Sequence, residues 1–254
     1  MNMGMREFKK RVNLFLKGEK ALPGFHADNV RVVKKNIGFL HEPRFEKAWE
    51  FGRSGNKHAF GKKRDVPDIR WRAHVCGWAA SNALSLEGDF VEFGVNGGLL
   101  SMTVCEYLDF WNQNRTFWLF DTFAGIPTET LRGEAAEKAE RANDGLYSDV
   151  YEIAKRNFSK FENARLVRGT LPETLDASPV GKIAYLSVDL NVAKYERECI
   201  ERVWDRIVPG APIILDDYAF NGHEDQYQMW NEFTADRGHM ILTLPTGQGL
   251  IIKH

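Results

Sequence analysis

Residues 88–98 read Gly-Asp-Phe-Val-Glu-Phe-Gly-Val-Asn-Gly-Gly (GDFVEFGVNGG). The first half is a short apolar run broken only by Glu92, and the second half is a glycine-rich turn. A continuous apolar run of this length fits a strand buried on both faces, as in a parallel sheet. An amphipathic stretch, 99–110, follows directly, so strand, turn and helix arrive in that order. Working outward, the same texture recurs. Apolar runs occupy 116–123 (TFWLFDTF), 164–168 (ARLVR), 182–189 (KIAYLSVD) and 211–217 (APIILDD), with helical patterns at 149–161 and 195–207 between them. In the last of these, Cys199, Val203 and Ile207 recur every four residues beside Ile200 and Trp204, one apolar stripe. Pro209-Gly210 stops that helix. Strand and helix in alternation predict βαβ units with right-handed crossovers, hence an α/β doubly wound, mostly parallel sheet.

The two ends differ from this core. Apolar runs at 239–244 and 250–253 flank Pro-Thr-Gly-Gln-Gly, which predicts a terminal antiparallel hairpin. Upstream, 69–84 (IRWRAHVCGWAASNAL) reads as a helix with Trp71, Val75 and Trp78 at helical spacing and Trp78 in the core. Residues 1–65 are basic and glycine-broken, and are read as an N-terminal helical extension or cap on a domain spanning 66–254.

Composition narrows the function classes. The 254 residues carry 34 basic and 35 acidic side chains. That near-neutral balance argues against a broad basic field for nucleic acid. Three scattered cysteines (Cys76, Cys105, Cys199) make neither a disulfide scaffold nor a cysteine zinc site. No apolar run approaches the roughly 18 residues of a membrane span. The segment 1–20 lacks a signal-peptide cleavage pattern, so a cytoplasmic protein without membrane partners is expected. The clusters Lys9-Lys10-Arg11 and Lys62-Lys63-Arg64 are expected to be solvated.

In doubly wound sheets ligands bind beyond the carboxyl ends of the strands. Here those ends are acidic: Glu92, Asp121, Asp189 and the pair Asp216-Asp217. The glycines at 94 and 98 suit close approach of backbone to a ligand, but the turn is not GxGxxG. An acid at its opening would repel a pyrophosphate and could receive an ammonium group. Asp121 sits where a carboxylate can chelate a ribose diol. Adjacent carboxylates at 216 and 217 repel unless a cation lies between them. With Asp189 they form an oxygen-rich set suited to Mg²⁺. No GxxxxGK[ST] occurs, which argues against nucleotide hydrolysis. His223 follows the 216–218 acid loop and is read as a surface residue, and 133–141 (GEAAEKAER) as a solvated helix or mobile lid.

Five blocks in order, GDFVEFGVNGG (88–98), WLFDTFAGIP (118–127), YLSVDL (185–190), VPGAPIILDDY (208–218) and LPTGQGLIIK (244–253), resemble the macrocin O-methyltransferase-like (TylF-type) sugar O-methyltransferases. The resemblance covers about 70–254. It implies a seven-stranded, Rossmann-like class I methyltransferase sheet, S-adenosylmethionine as methyl donor and one Mg²⁺. It would place Glu92, Gly94, Asn96 and Gly98 around the methionine end of the donor. Asp121 and Thr122 would lie at the ribose, and Gly169 and Thr170 at the adenine. Asp189 would border the donor and, with Asp216 and Asp217, hold the metal.

Two positions depart from the family pattern. The family's Asp-Gly-Asp after the fourth strand is Asp189-Leu190-Asn191 here. The catalytic positions are read as Asp189, Asn191 and Lys194; an amide cannot fill the base role, so either Asp189 or Lys194 takes it, the metal alone suffices, or the acceptor differs from a sugar. Asn96-Gly97 replaces bulkier residues, which would widen the mouth of the donor pocket. The expected reaction is methyl transfer to a hydroxyl of a small molecule, a sugar or decorated natural product. The alternatives are a donor-binding protein without turnover and a nicotinamide-dependent oxidoreductase. Acceptor choice is expected to lie in 1–65, 124–148 and 219–230, and the extension is a reason to expect a homodimer.

Overall fold

The computed structural model describes residues 24–60 and 65–254. The clusters Lys9-Lys10-Arg11 and Lys62-Lys63-Arg64, and the 1–20 segment, lie outside the described residues. Before the main sheet come a hairpin, β1 (Phe25–Ala27) and β2 (Val30–Val32), and helix α1 (Pro43–Gly55). Then follow α2 (Arg70–Ala83), β3 (Asp89–Phe93), α3 (Leu99–Tyr107), β4 (Phe117–Asp121), α4 (Gly133–Gly145), α5 (Tyr151–Phe158) and β5 (Ala164–Arg168). The chain continues through α6 (Glu173–Asp176), β6 (Ile183–Val188), α7 (Ala193–Val203), β7 (Pro212–Leu215), α8 (Glu224–Ala235), β8 (Leu242–Thr243) and β9 (Gly249–Ile252).

The seven strands from β3 onward form one sheet in the order β5-β4-β3-β6-β7-β9-β8. Pairings from β5 through β7 are parallel, and β9 runs antiparallel to both β7 and β8. The doubly wound sheet and its terminal antiparallel strands are as the sequence predicts. Chain order reverses at β3, whose neighbours are β4 and β6, so the crevice beyond the carboxyl ends of β3 and β6 is the binding position for this topology.

Every residue of β6 and β7 is buried, as continuous apolar runs require. The run 164–168 is different: it forms the edge strand β5, where Arg165 and Arg168 are exposed. An edge strand has one partner, and its charged side chains blunt the open edge. The α7 stripe is buried as expected, from Cys199 to Ile207 with Trp204.

On α2 the apolar stripe is misjudged. Trp78 is 49% exposed, and the helix buries Ala73, Cys76, Gly77, Ala79, Ala80 and Ala83 instead. Small side chains let α2 lie close against α3 and the sheet, and that closeness pushes the large indole outward. The 24–60 region carries a hairpin as well as a helix, and Phe25, Val30, Leu40, Phe45 and Trp49 enter the same core as Phe90 and Val104. All three cysteines are free and buried. No helix among the described residues is long and apolar enough to cross a membrane.

Candidate active site

Strand register builds the site. The Asp189 amide donates to Phe93 O (2.8 Å) and the Asp216 amide to Val188 O (2.9 Å), so β3, β6 and β7 end side by side. Gly94 fits this crossing because a Cβ there would stand 1.9 Å from Asp189 O, and its φ is +84°. Beyond these ends lies a cavity of about 410 Å³. Glu92, Gly94, Asn96, Asp121, Thr122 and Gly169 line it, and so do Asp189, Asn191, Asp216 and Asp217.

Oxygens of Asp189, Asp216 and Asp217 come within 4.8 Å of one another. Burial, reinforced by the charges of Asp216 and Asp217, pushes the Asp189 carboxyl well above the usual carboxylate range. Burial and Asp216 likewise push Asp217 up to about 6. The cation that an adjacent acid pair demands is supplied in part by the protein itself. Arg72 Nη1 stands 2.6 Å from Asp216 Oδ2 and 3.5 Å from Asp217 Oδ1. Its Nε and Nη2 form a fork on Asp28, at 2.6 and 2.7 Å. Burial opposes the guanidinium charge, but Asp216, Asp28 and Asp217 outweigh it and keep Arg72 protonated. Asp216 Oδ1 accepts a second bond from Gln248 Nε2 (3.0 Å). One guanidinium among four carboxylates leaves a surplus of negative charge, so the three-acid donor set fits a hard divalent cation.

Glu92 is 4% exposed, and its Oε2 has no hydrogen-bond partner among the described residues. Burial, with Asp216 and Asp121 nearby, pushes its carboxyl up to about 8. An unpartnered buried carboxyl oxygen on a cavity wall fits a cationic ligand group. Asp121 is engaged differently from a free ribose chelator. Its Oδ2 accepts the Val95 and Asn96 amides (2.6 and 2.7 Å), and its Oδ1 accepts that of Phe123 (2.6 Å). Asp121 therefore folds the glycine turn around itself.

Three expected site residues fall outside the cavity lining. Gly98 is the left-handed N-cap of α3, where a Cβ would strike the Phe158 ring at 2.4 Å. Thr170 is exposed and its carbonyl accepts from Thr174. Lys194 lies on the outer face of α7, donating to Thr130 O (3.3 Å) and pairing with Glu198 (4.0 Å). Gly97 does not widen the mouth: a Cβ there would lie 2.1 Å from Asn56 Oδ1, so α1 packs where a larger residue would go.

Sequence reasoning missed Arg72, Asp28, Tyr147 and Gln248. Tyr147, just beyond the 133–145 helix, lines the cavity, and its hydroxyl accepts from Asn191 Nδ2 at 3.3 Å. Burial and the nearby acids raise its pKa, so it stays a neutral donor. Asp28 was within reach, since Phe-His-Ala-Asp-Asn-Val-Arg-Val alternates around a turn-type dipeptide. The 133–145 helix is tied to neighbouring segments by hydrogen bonds. Lys138 Nζ bonds Gly222 O, and Asn143 bonds both backbone groups of Ile126. His223 Nδ1 donates to Gln226 Oε1 (2.6 Å) and is not among the lining residues.

A model of the family described as Macrocin-O-methyltransferase (TylF) matches residues 78–241. The chain belongs to the macrocin O-methyltransferase family. Among curated relatives, 8-demethyl-8-(2,3-dimethoxy-alpha-L-rhamnosyl)-tetracenomycin-C 4'-O-methyltransferase of Streptomyces olivaceus is 27% identical over 54% of this chain and 56% of its own. Demethyldecarbamoylnovobiocin O-methyltransferase of Streptomyces niveus is 28% identical over 53% and 54%. The chain thus spans just over half the length of the curated relatives it matches. The O-methyltransferase NovP structure superposes with a TM-score of 0.64 at 21% identity, over 80% of this chain and 87% of that one. That superposition shows that the two chains share the fold described above.

Proposed function

We propose that the chain transfers a methyl group from S-adenosylmethionine to a hydroxyl of a small molecule, with a divalent ion such as Mg²⁺ at Asp189, Asp216 and Asp217. One observation carries the reading: a single cavity is lined both by the glycine turn with its unpartnered Glu92 and by the three-acid cluster. The acceptor class follows from the relatives, one of which is named for a rhamnosyl compound and another for a novobiocin derivative. A sugar or decorated natural product is the corresponding acceptor here.

In this reading Glu92 receives the ammonium group of the donor, and Asp121 holds the turn in shape. A divalent ion held by Asp189, Asp216 and Asp217 would supply Lewis-acid and template chemistry for an acceptor hydroxyl. Of the three catalytic positions named from sequence, Asn191 has no basic atom and Lys194 lies outside the cavity. Asp189 remains as the carboxylate beside the acceptor. Ile126, Pro127, Leu146 and Tyr147 line the same cavity and give part of its wall an apolar surface.

The test is transfer of labelled methyl from S-adenosylmethionine to a panel of hydroxylated glycosides. Activity lost in EDTA and restored by Mg²⁺ is expected. Undiminished activity in excess EDTA would remove the metal from the reading. Because Asn191 replaces an acid, a second reading is a donor-binding protein without turnover. Donor-induced stabilisation with no product across the panel would favour it.

A further inference from the structure

We propose that Arg72 is a positioning residue that sets how tightly the acid cluster holds a divalent ion, as a resident counter-charge anchored to the amino-terminal hairpin. The proposal rests on the metal reading above.

The hairpin turn is Asp28-Asn29, both residues in left-handed backbone (φ 51° and 55°), the geometry that two-residue hairpin loops use. Phe25 and Val30 bury the hairpin in the core, so its tip is held in place. Asp28, with its side chain only 8% exposed, grips two edges of the Arg72 guanidinium. The remaining nitrogen, Nη1, is thereby aimed at Asp216 and Asp217. Phe220 covers one face of the guanidinium, 4.5 Å from its ring centre. All of the fork is committed, and the side chain has no room to swing free.

A divalent ion entering this cluster shares Asp216 and Asp217 with a fixed positive charge. Arg72 and Gln248 engage both oxygens of Asp216. Arg72 therefore weakens the ion's hold while keeping the acids ordered when the ion is absent. A three-acid site without it would bind the ion more tightly and fold less stably when empty. The ion's affinity is thus coupled to a hairpin that is distant in sequence.

The test is titration of purified full-length protein with Mn²⁺ alone, followed by electron paramagnetic resonance, together with melting curves. Arg72→Gln is expected to bind Mn²⁺ about tenfold or more tighter than wild type. Its melting temperature should fall in metal-free buffer and recover with Mn²⁺. Arg72→Lys, which keeps the charge, should stay within about threefold of wild type. Unchanged or weaker binding by Arg72→Gln overturns the proposal. Should that variant fail to fold, Asp28→Asn decides. With the Arg72 charge no longer offset by Asp28, the guanidinium should oppose the ion more strongly and weaken binding about threefold or more, and unchanged or tighter binding overturns the proposal. Equal affinity in all variants removes this proposal alone, whereas no binding by any of them, wild type included, removes the metal reading with it.

Discussion

Asn191 Nδ2 donates to Asp189 Oδ1 across 3.1 Å, from a backbone held in the left-handed region at φ 60°. An amide at this position calms a carboxylate that a second acid would repel. Asn191→Asp should therefore lower the melting temperature in metal-free buffer by about 5 °C, since neighbouring buried carboxylates resist ionising together. Mg²⁺ should recover the loss. Melting curves with and without the ion check this, and a loss that Mg²⁺ leaves untouched would separate position 191 from the cluster.

Asp217 is the cleaner handle on the acid cluster. Asp217→Asn should reduce transfer on the order of 100-fold or more. The stabilisation produced by S-adenosylmethionine should persist. Asp216→Ala should do more damage, because it strands Arg72 Nη1 and Gln248 Nε2, both bonded to Asp216. A stability loss of about 3–5 kcal/mol is expected for removing one partner of a buried ion pair. Urea unfolding of the two variants side by side makes the comparison.

Glu92 trades stability for donor recognition. Its folded-state value of about 8 lies above the ordinary 4.5. Between those pH values the folded chain keeps a proton that the unfolded chain has lost, so stability falls as pH rises from 4.5 to 8. Glu92→Gln should thus melt higher than wild type at pH 8, with the advantage vanishing near pH 4.5. It should also bind S-adenosylmethionine about tenfold or more weakly, for want of a carboxylate. Calorimetry across pH measures both, and a variant that melts no higher at pH 8 would contradict the burial cost.

Gly94→Ala should cost about 2–4 kcal/mol, from a positive φ and a collision with Asp189 O. Chemical denaturation reads it directly. A variant of native stability would mean that β3 and β6 do not meet as closely as the structure shows.

The sheet was legible because its evidence is local. Five apolar runs, each with a charge or a glycine at or near its end, mark strands and their carboxyl ends without reference to anything distant. The same locality explains the three acids, which are the first or second residues past β6 and β7. What escaped was contact across long separations. Arg72 lies 144 positions from Asp216, inside a helix whose buried face is made of small residues, mostly alanines, and nothing around it signals a partner. Trp78 was misjudged because large apolar residues outweigh small ones in any periodicity argument, although small ones permit the tighter packing. Asp121 stands at the predicted strand end, yet its bonds to Val95, Asn96 and Phe123 depend on how the turn folds back. Gly98 and Thr170 sit in the right blocks, but a helix cap claims the first and solvent the second.

The alignment of Asp189 with Asp216 across β6 and β7 behaves as a ruler. Adding or deleting one residue in either strand would turn one acid to the opposite side of the sheet and dismantle the cluster at a stroke. The 133–145 helix carries no such counting constraint. Chimeras between relatives should therefore tolerate crossovers there and fail when a junction alters strand length, which makes it the natural place to graft a new acceptor preference.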